Sequence, residues 1–228
     1  MKIGILLTGH APESLLSSSG DYAAMFARLL DGHGFDFETF AVVDGMFPES
    51  AESCDGWLIT GSRHGAYEDH PWIPPLEELI RQIAASERPL IGVCFGHQII
   101  AQALGGKVEK FQGGWAVGPQ NYDIDGQTLK LNAWHQDQVT ALPPGAQVIG
   151  SNRFCVNAAL LIGDNILTIQ PHPEFNAAFL AGLIDQRGRG VVPDDLLDAA
   201  KARLDDGGDA AAFADRMAAF LKAKAPTA

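Results

Sequence analysis

The chain has 228 residues, with 16 Lys and Arg against 28 Asp and Glu and a formal charge of −12. That length admits one α/β domain with an appendage, and an acidic chain without a basic patch argues against nucleic-acid and anionic-membrane partners. Apolar residues at 46% and charged residues at 19% describe a folded chain with a sizeable core, outside the compositional regime of disorder.

In chain order, residues 2–8 read as a short buried strand. A Ser- and Gly-rich loop follows, then a helix over 21–30 with Tyr22, Met25, Phe26, Leu29 and Leu30 at helical spacing. Next come strand-like alternation over 35–43 and an apolar burst at 56–60 closed by Gly61. A helix over 75–85 carries Leu76, Leu79, Ile80 and Ile83 on one face, and a fourth apolar run spans 90–93. This alternation predicts an α/β fold, an open and mostly parallel sheet with helices on both faces and ligands at the carboxyl ends of its strands. From about residue 108 the rhythm changes to strands with tight turns, at 121–125, 128–133, 156–162 and 166–170, an antiparallel extension that makes the sheet mixed. Helices over 194–204 and 210–221 close the chain, the second with a core-facing stripe of Phe213, Met217, Phe220 and Leu221. Residues 222–228 are expected to fray.

Cys54, Cys94 and Cys155 form no C-x-x-C and have no closely paired His, so the sequence predicts neither a disulfide framework nor a metal site, and a reducing compartment fits best. The apolar run at 3–7 is too short for a signal peptide, and no stretch of about 18 consecutive apolar residues occurs. A cytoplasmic protein is expected.

The strongest local signal is Gly92-Val93-Cys94-Phe95-Gly96-His97-Gln98, between a strand and a helical run through Ile99, Ile100, Ala103 and Leu104. Glycines two residues either side of a nucleophile at a strand-to-helix reversal permit a sharp turn that presents the side chain. Cys94 would sit at a helix N-terminus, where free N–H groups and the dipole favour thiolate and can hold an oxyanion. Cys54 and Cys155 lack this setting and read as buried packing residues.

A thiol nucleophile needs a base, and the base needs an orienting group. Gln170-Pro171-His172-Pro173-Glu174 follows an apolar strand, and in an extended segment residues i and i+2 point the same way, so Glu174 can accept the second ring N–H of His172. Taken alone, the segment also fits a turn closed by prolines. Its place after a strand end, together with Cys94, favours a Cys94–His172–Glu174 triad.

The G-V-C-F-G-H-Q elbow and the later H-P-E resemble the class I glutamine amidotransferase family over roughly residues 2–183. The resemblance implies a flavodoxin-like fold, with residues 1–190 as the catalytic domain and 191–228 as a helical extension packed on it. It also implies hydrolysis of γ-glutamyl amides, glutamine in the first instance, through a γ-glutamyl thioester on Cys94. His172 would move the proton, Glu174 would orient it, and no cofactor would be needed. Gly61 matches the family's oxyanion-loop glycine, its N–H joining that of Phe95; Gln98 matches the glutamine that contacts substrate. His97 is expected to pack behind the elbow, and Trp134-His135-Gln136-Asp137 stands where relatives resembling GMP synthetase carry a substrate-binding S-H-G-D.

Two departures bear on substrate. Thr60-Gly61-Ser62-Arg63-His64-Gly65-Ala66-Tyr67 replaces G-G-P, and Gln136 replaces the glycine of S-H-G-D. The first resembles the stand-alone branch that includes plant γ-glutamyl peptidases. Arg63 either presents a bidentate fork to a leaving-group carboxylate or pairs with Glu68 or Asp69. With no P-loop and no room for a synthetase domain, either a separate subunit accepts ammonia or the enzyme is a free-standing hydrolase; a catalytically silent regulatory relative is the alternative of another class.

Overall fold

The computed structural model describes residues 1–205 and 208–224. Its first half runs β1 (Lys2–Leu6), α1 (Glu13–Ser19), α2 (Tyr22–Leu29), β2 (Asp36–Phe40), β3 (Gly56–Ile59), α3 (Ile73–Ala85), β4 (Leu90–Val93) and α4 (Phe95–Ala103). Strands then dominate: β5 (Lys107–Lys110), β6 (Ala116–Ile124), β7 (Gln127–His135), β8 (Asp137–Ala141), β9 (Ala146–Ser151), β10 (Ala159–Ile162) and β11 (Ile166–Ile169). Three helices end the chain, α5 (Ala177–Leu183), α6 (Asp194–Lys201) and α7 (Ala210–Ala223).

Nine strands form one sheet in the order β2-β1-β3-β4-β11-β10-β9-β6-β7, and β5 pairs with β8 alone. The neighbours from β2 through β11 are parallel, and those from β11 to β7 are antiparallel. The mixed, largely parallel α/β sheet expected from the sequence is therefore present. Strands buried on both faces read as unbroken apolar runs. Ile3, Ile5, Leu58, Ile91 and Val93 point to a layer filled by Phe26, Phe179, Phe213 and Met217 from α2, α5 and α7. Leu6, Trp57, Ile59 and Leu90 point to the opposite layer, filled by Leu76, Ile80, Ile99 and Ile100 from α3 and α4. In α7 the stripe holds for Phe213, Met217 and Leu221, each fully buried and each stabilising by about 1.5–3 kcal/mol. Among the described residues no helix is long and apolar enough to cross a membrane. Residues 225–228, part of the segment expected to fray, lie outside the described residues.

The Ser- and Gly-rich loop is the main departure in the first half, because α1 forms inside it. Pro12 precedes the helix, Glu13 occupies its first turn, and Gly20 ends it at φ 72° with its N–H donating to Leu16 O. Leu15 supplies the only packing signal, against the layer that contains α5, and a single apolar residue gives no periodicity to read. Helix α5 is likewise absent from the sequence pattern. Asn176 caps it, accepting from the Phe179 N–H at 2.8 Å, and a π-helical turn at Ile184–Gly188 extends it.

Candidate active site

Strands β4 and β11 are parallel neighbours paired through Val93 and Ile169, so the residues leaving their carboxyl ends emerge side by side. Cys94 follows β4 directly. Its N–H donates to Ile169 O at 2.8 Å, and its backbone is held at φ 54°, ψ −104° as the N-cap of α4, a conformation that a non-glycine residue adopts only when its surroundings impose it. The glycines impose it by close approach. A Cβ on Gly96 would lie 2.4 Å from Ile59 O, and one on Gly92 would lie 2.6 Å from the Gly96 carbonyl.

After β11 the chain is held extended from the side. The His172 N–H donates to Asn132 O at 2.8 Å, and the Asn132 side-chain amide donates to Phe175 O at 2.8 Å. The His172 ring lies flat on Phe175, with centroids 3.9 Å apart and planes 5° apart. Its Nδ1 meets Glu174 Oε1 at 2.7 Å. The turn reading of this segment, with a solvated His and Glu, does not describe this arrangement, since both side chains are buried. Burial acts to lower the His172 pKa, but the charges of Glu174 and Cys94 override it and hold the group well above the ordinary histidine value. Among the described residues His172 Nε2 has no hydrogen-bond partner. The Cε1 edge of the ring borders Gly61, where an added Cβ would sit 2.9 Å from His172 Cε1 and 3.6 Å from Cys94 Cβ. Any side chain at position 61 would collide with the imidazole.

The Gly61 carbonyl accepts from the hydroxyls of Thr8 and Thr60, both at 3.1 Å, which fixes that peptide plane. The Phe95 N–H opens α4 and belongs to the helix's unpaired first turn. Gln98 is buried, and its amide nitrogen donates to Asp137 O at 2.9 Å and to Gln170 Oε1 at 3.1 Å. His97 lies behind the elbow as expected, its Nδ1 2.7 Å from Thr168 Oγ1. His135 contacts Asp137 O through Nδ1 at 3.2 Å, and the Gln136 amide donates to Phe111 O at 3.2 Å. Burial pushes both His97 and His135 down to about 3. Burial also pushes the Cys54 and Cys155 thiols up, to about 11 and about 12, so neither is a ready thiolate.

One cavity of about 310 Å³ is bordered by Cys94, His172, Gly61, Gln98, His135, Gln136 and Arg63, so the structure gathers these sequence-selected residues around a single space. Arg63 does not pair with Glu68, whose carboxylate is taken by His64 and His70. The same cavity is lined by Lys110, Trp115, Leu183, Arg187 and Val191, which no sequence signal singled out, and by Tyr22, which the sequence marks only as part of a helix face. Arg187 comes from the π-helical turn and is positioned by donating to His10 O at 3.0 Å and to the Tyr22 hydroxyl at 3.5 Å.

Residues 35–178 match the family described as "Glutamine amidotransferase class-I". Gamma-glutamyl peptidase 4 of Arabidopsis thaliana is 34% identical over 203 residues, covering 82% of this chain and 81% of that protein. A GMP synthase [glutamine-hydrolyzing] of Pyrobaculum aerophilum is 30% identical over 167 residues, 70% of this chain but 32% of the synthase. The crystal structure of a glutamine amidotransferase from Methylobacillus flagellatus superposes with a TM-score of 0.77 over 100% of this chain and 96% of that one, at 22% identity, a likeness of fold.

Proposed function

The chain belongs to the class I glutamine amidotransferase family, and from that premise we propose that it hydrolyses γ-glutamyl amide bonds with Cys94 as nucleophile, His172 as acid and base, and Glu174 as the group that orients His172. The observation that carries this reading is the strained Cys94 elbow beside an imidazole clamped by Glu174 and Phe175, with Cys94, His172 and Phe175 bordering one cavity.

Cys94 Sγ attacks the γ-carbonyl carbon, and the N–H groups of Gly61 and Phe95 take up the charge that develops on its oxygen. Imidazolium at His172 gives its proton to the departing nitrogen, which leaves as an amine or as ammonia. Water, deprotonated by His172, then cleaves the γ-glutamyl thioester and releases glutamate.

The walls of the cavity favour a γ-glutamyl peptide over glutamine. Arg63, Lys110 and Arg187 put three cations around it, and Trp115, Trp134 and Val191 give it an apolar side. Ammonia needs neither; a departing amino acid with an apolar side chain and a free carboxylate uses both. The relative named as a peptidase supports the same choice. Residues 1–190 act as the catalytic unit in this reading. The segment from 191 onward packs on it through Val192 and Leu197 against Val117. The three unpaired cysteines suit a reducing, cytoplasmic setting. The test offers purified protein glutamine and a panel of γ-glutamyl dipeptides and measures free ammonia, glutamate and amino acid. Faster release of apolar amino acids than of ammonia supports the peptidase reading, and release of ammonia alone contradicts it.

A further inference from the structure

The loop between β3 and α3 carries a second cluster that hydrolysis at Cys94 does not use. His64 Nδ1 and His70 Nε2 lie 3.4 Å and 2.8 Å from the same carboxylate oxygen, Glu68 Oε2. Their rings meet edge to face with centroids 4.2 Å apart, and one ligand atom from each of the three residues falls within 4.8 Å of the others. Four-coordinate zinc with bonds of about 2.0–2.1 Å places neighbouring donors roughly 3.3 Å apart; the two histidine-to-carboxylate separations, 3.4 and 2.8 Å, stand close to that value, and the third lies within 4.8 Å.

The loop holds these donors in place without help from an ion. The Ser62 hydroxyl donates to Thr8 O at 2.7 Å and accepts the His64 N–H at 3.2 Å. A turn with the Glu68 N–H on Gly65 O at 3.1 Å folds Glu68 back towards His64. His70 stacks on Trp72 with planes 12° apart, His64 meets the edge of the same ring, and buried Trp72 packs on Phe95.

We propose that His64, Glu68 and His70 form a binding site for a first-row divalent cation of the zinc type beside the cavity. Two imidazoles and one carboxylate select Zn²⁺, Co²⁺ or Ni²⁺ over Mg²⁺ and Ca²⁺, which prefer all-oxygen sets. Three protein donors leave at least one coordination position for water. The His-x-x-x-Glu-x-His loop carries no cysteine, so cysteine-based metal spacings do not reveal it. His64 and Glu68 also line the cavity, so an ion held here adds positive charge at the cavity wall. The proposal is independent of the chemistry assigned to Cys94.

Calorimetric titration with Zn²⁺ and absorption titration with Co²⁺ test it, both on the Cys94→Ser chain so that the nucleophile cannot supply a thiolate ligand. The expected result is one ion per chain, a Co²⁺ visible spectrum without thiolate charge-transfer bands, and no competition from Mg²⁺. His64→Ala, His70→Ala and Glu68→Gln should each weaken binding at least about tenfold, whereas His10→Ala, which removes a histidine paired with Asp21 and Asp44 elsewhere, should leave it unchanged. Absence of a stoichiometric site in the Cys94→Ser chain, or equal affinity in the three loop variants, overturns the proposal.

Discussion

Cys94, His172 and Glu174 leave two adjacent parallel strands, β4 and β11, and all three are buried, each 8% exposed or less. Arg63, Lys110, Trp115 and Arg187 reach the same cavity from a loop, from the end of a two-stranded ribbon and from a π-helical turn, and none of them is buried. The first group is positioned by strand register, ring stacking and backbone hydrogen bonds, so its geometry tolerates little. The second is positioned by a few polar contacts on elements that tolerate change. Bond cleavage and choice of leaving group are thus carried by separate parts of one cavity, and substitutions should separate them.

The largest effect is expected at Cys94. Cys94→Ala should reduce γ-glutamyl hydrolysis at least about 10⁴-fold on every substrate while the unfolding midpoint in urea stays close to that of the natural chain. Appreciable turnover in that variant would break the contrast at its buried end.

His172 and Glu174 sharpen the buried half. Removing the imidazole deletes the proton carrier, whereas Glu174→Gln keeps a side chain of the same shape that no longer stabilises imidazolium. The loss of kcat in His172→Ala should exceed that in Glu174→Gln by about tenfold or more. Negligible losses in both would transfer the base to His97 or His135.

The exposed half should respond selectively. A hydrogen bond to a charged group contributes about 1.5–3 kcal/mol, so Arg63→Ala should lower kcat/KM for γ-glutamyl peptides with a free carboxylate by roughly 10–10²-fold, with little change for glutamine. A uniform loss across both substrates would erase the proposed division of labour.

A smaller effect concerns stability at the boundary between the two groups. His97 and His135 are neutral in the fold, with pKa values near 3, but near 6.5 in the unfolded chain. The unfolded state therefore takes up protons first as pH falls. The stabilisation from keeping them neutral is complete above pH 6.5 and is lost towards pH 3, at about 2 kcal/mol per histidine between pH 6.5 and 5. Urea unfolding at pH 7 and pH 5 should show this slope, and His97→Gln should flatten it.

The same division explains what the sequence disclosed. The elbow is contiguous, its glycines are needed by close approaches of 2.4 and 2.6 Å, and His172 and Glu174 are separated by one proline, so short segments carried nearly all of the buried half. Phe175 and Asn132 complete that half but gave no signal, one being an ordinary core aromatic and the other acting through its backbone carbonyl and an amide that meets only a backbone oxygen. Lys110, Trp115 and Arg187 meet only after the antiparallel strands and the turn beyond α5 are placed. The ribbon strand β5, whose single buried residue is Val108, and the turn beyond α5 carry no apolar period.

The account rests on a covalent γ-glutamyl thioester at one cysteine. Its most direct test mixes the protein with a rapidly cleaved γ-glutamyl peptide, quenches with acid within the first turnovers, and maps the product by peptide mass spectrometry. The account predicts one γ-glutamyl group on the peptide that contains Cys94 and none on those containing Cys54 or Cys155. Modification of either buried cysteine, or full turnover in Cys94→Ala, would contradict it.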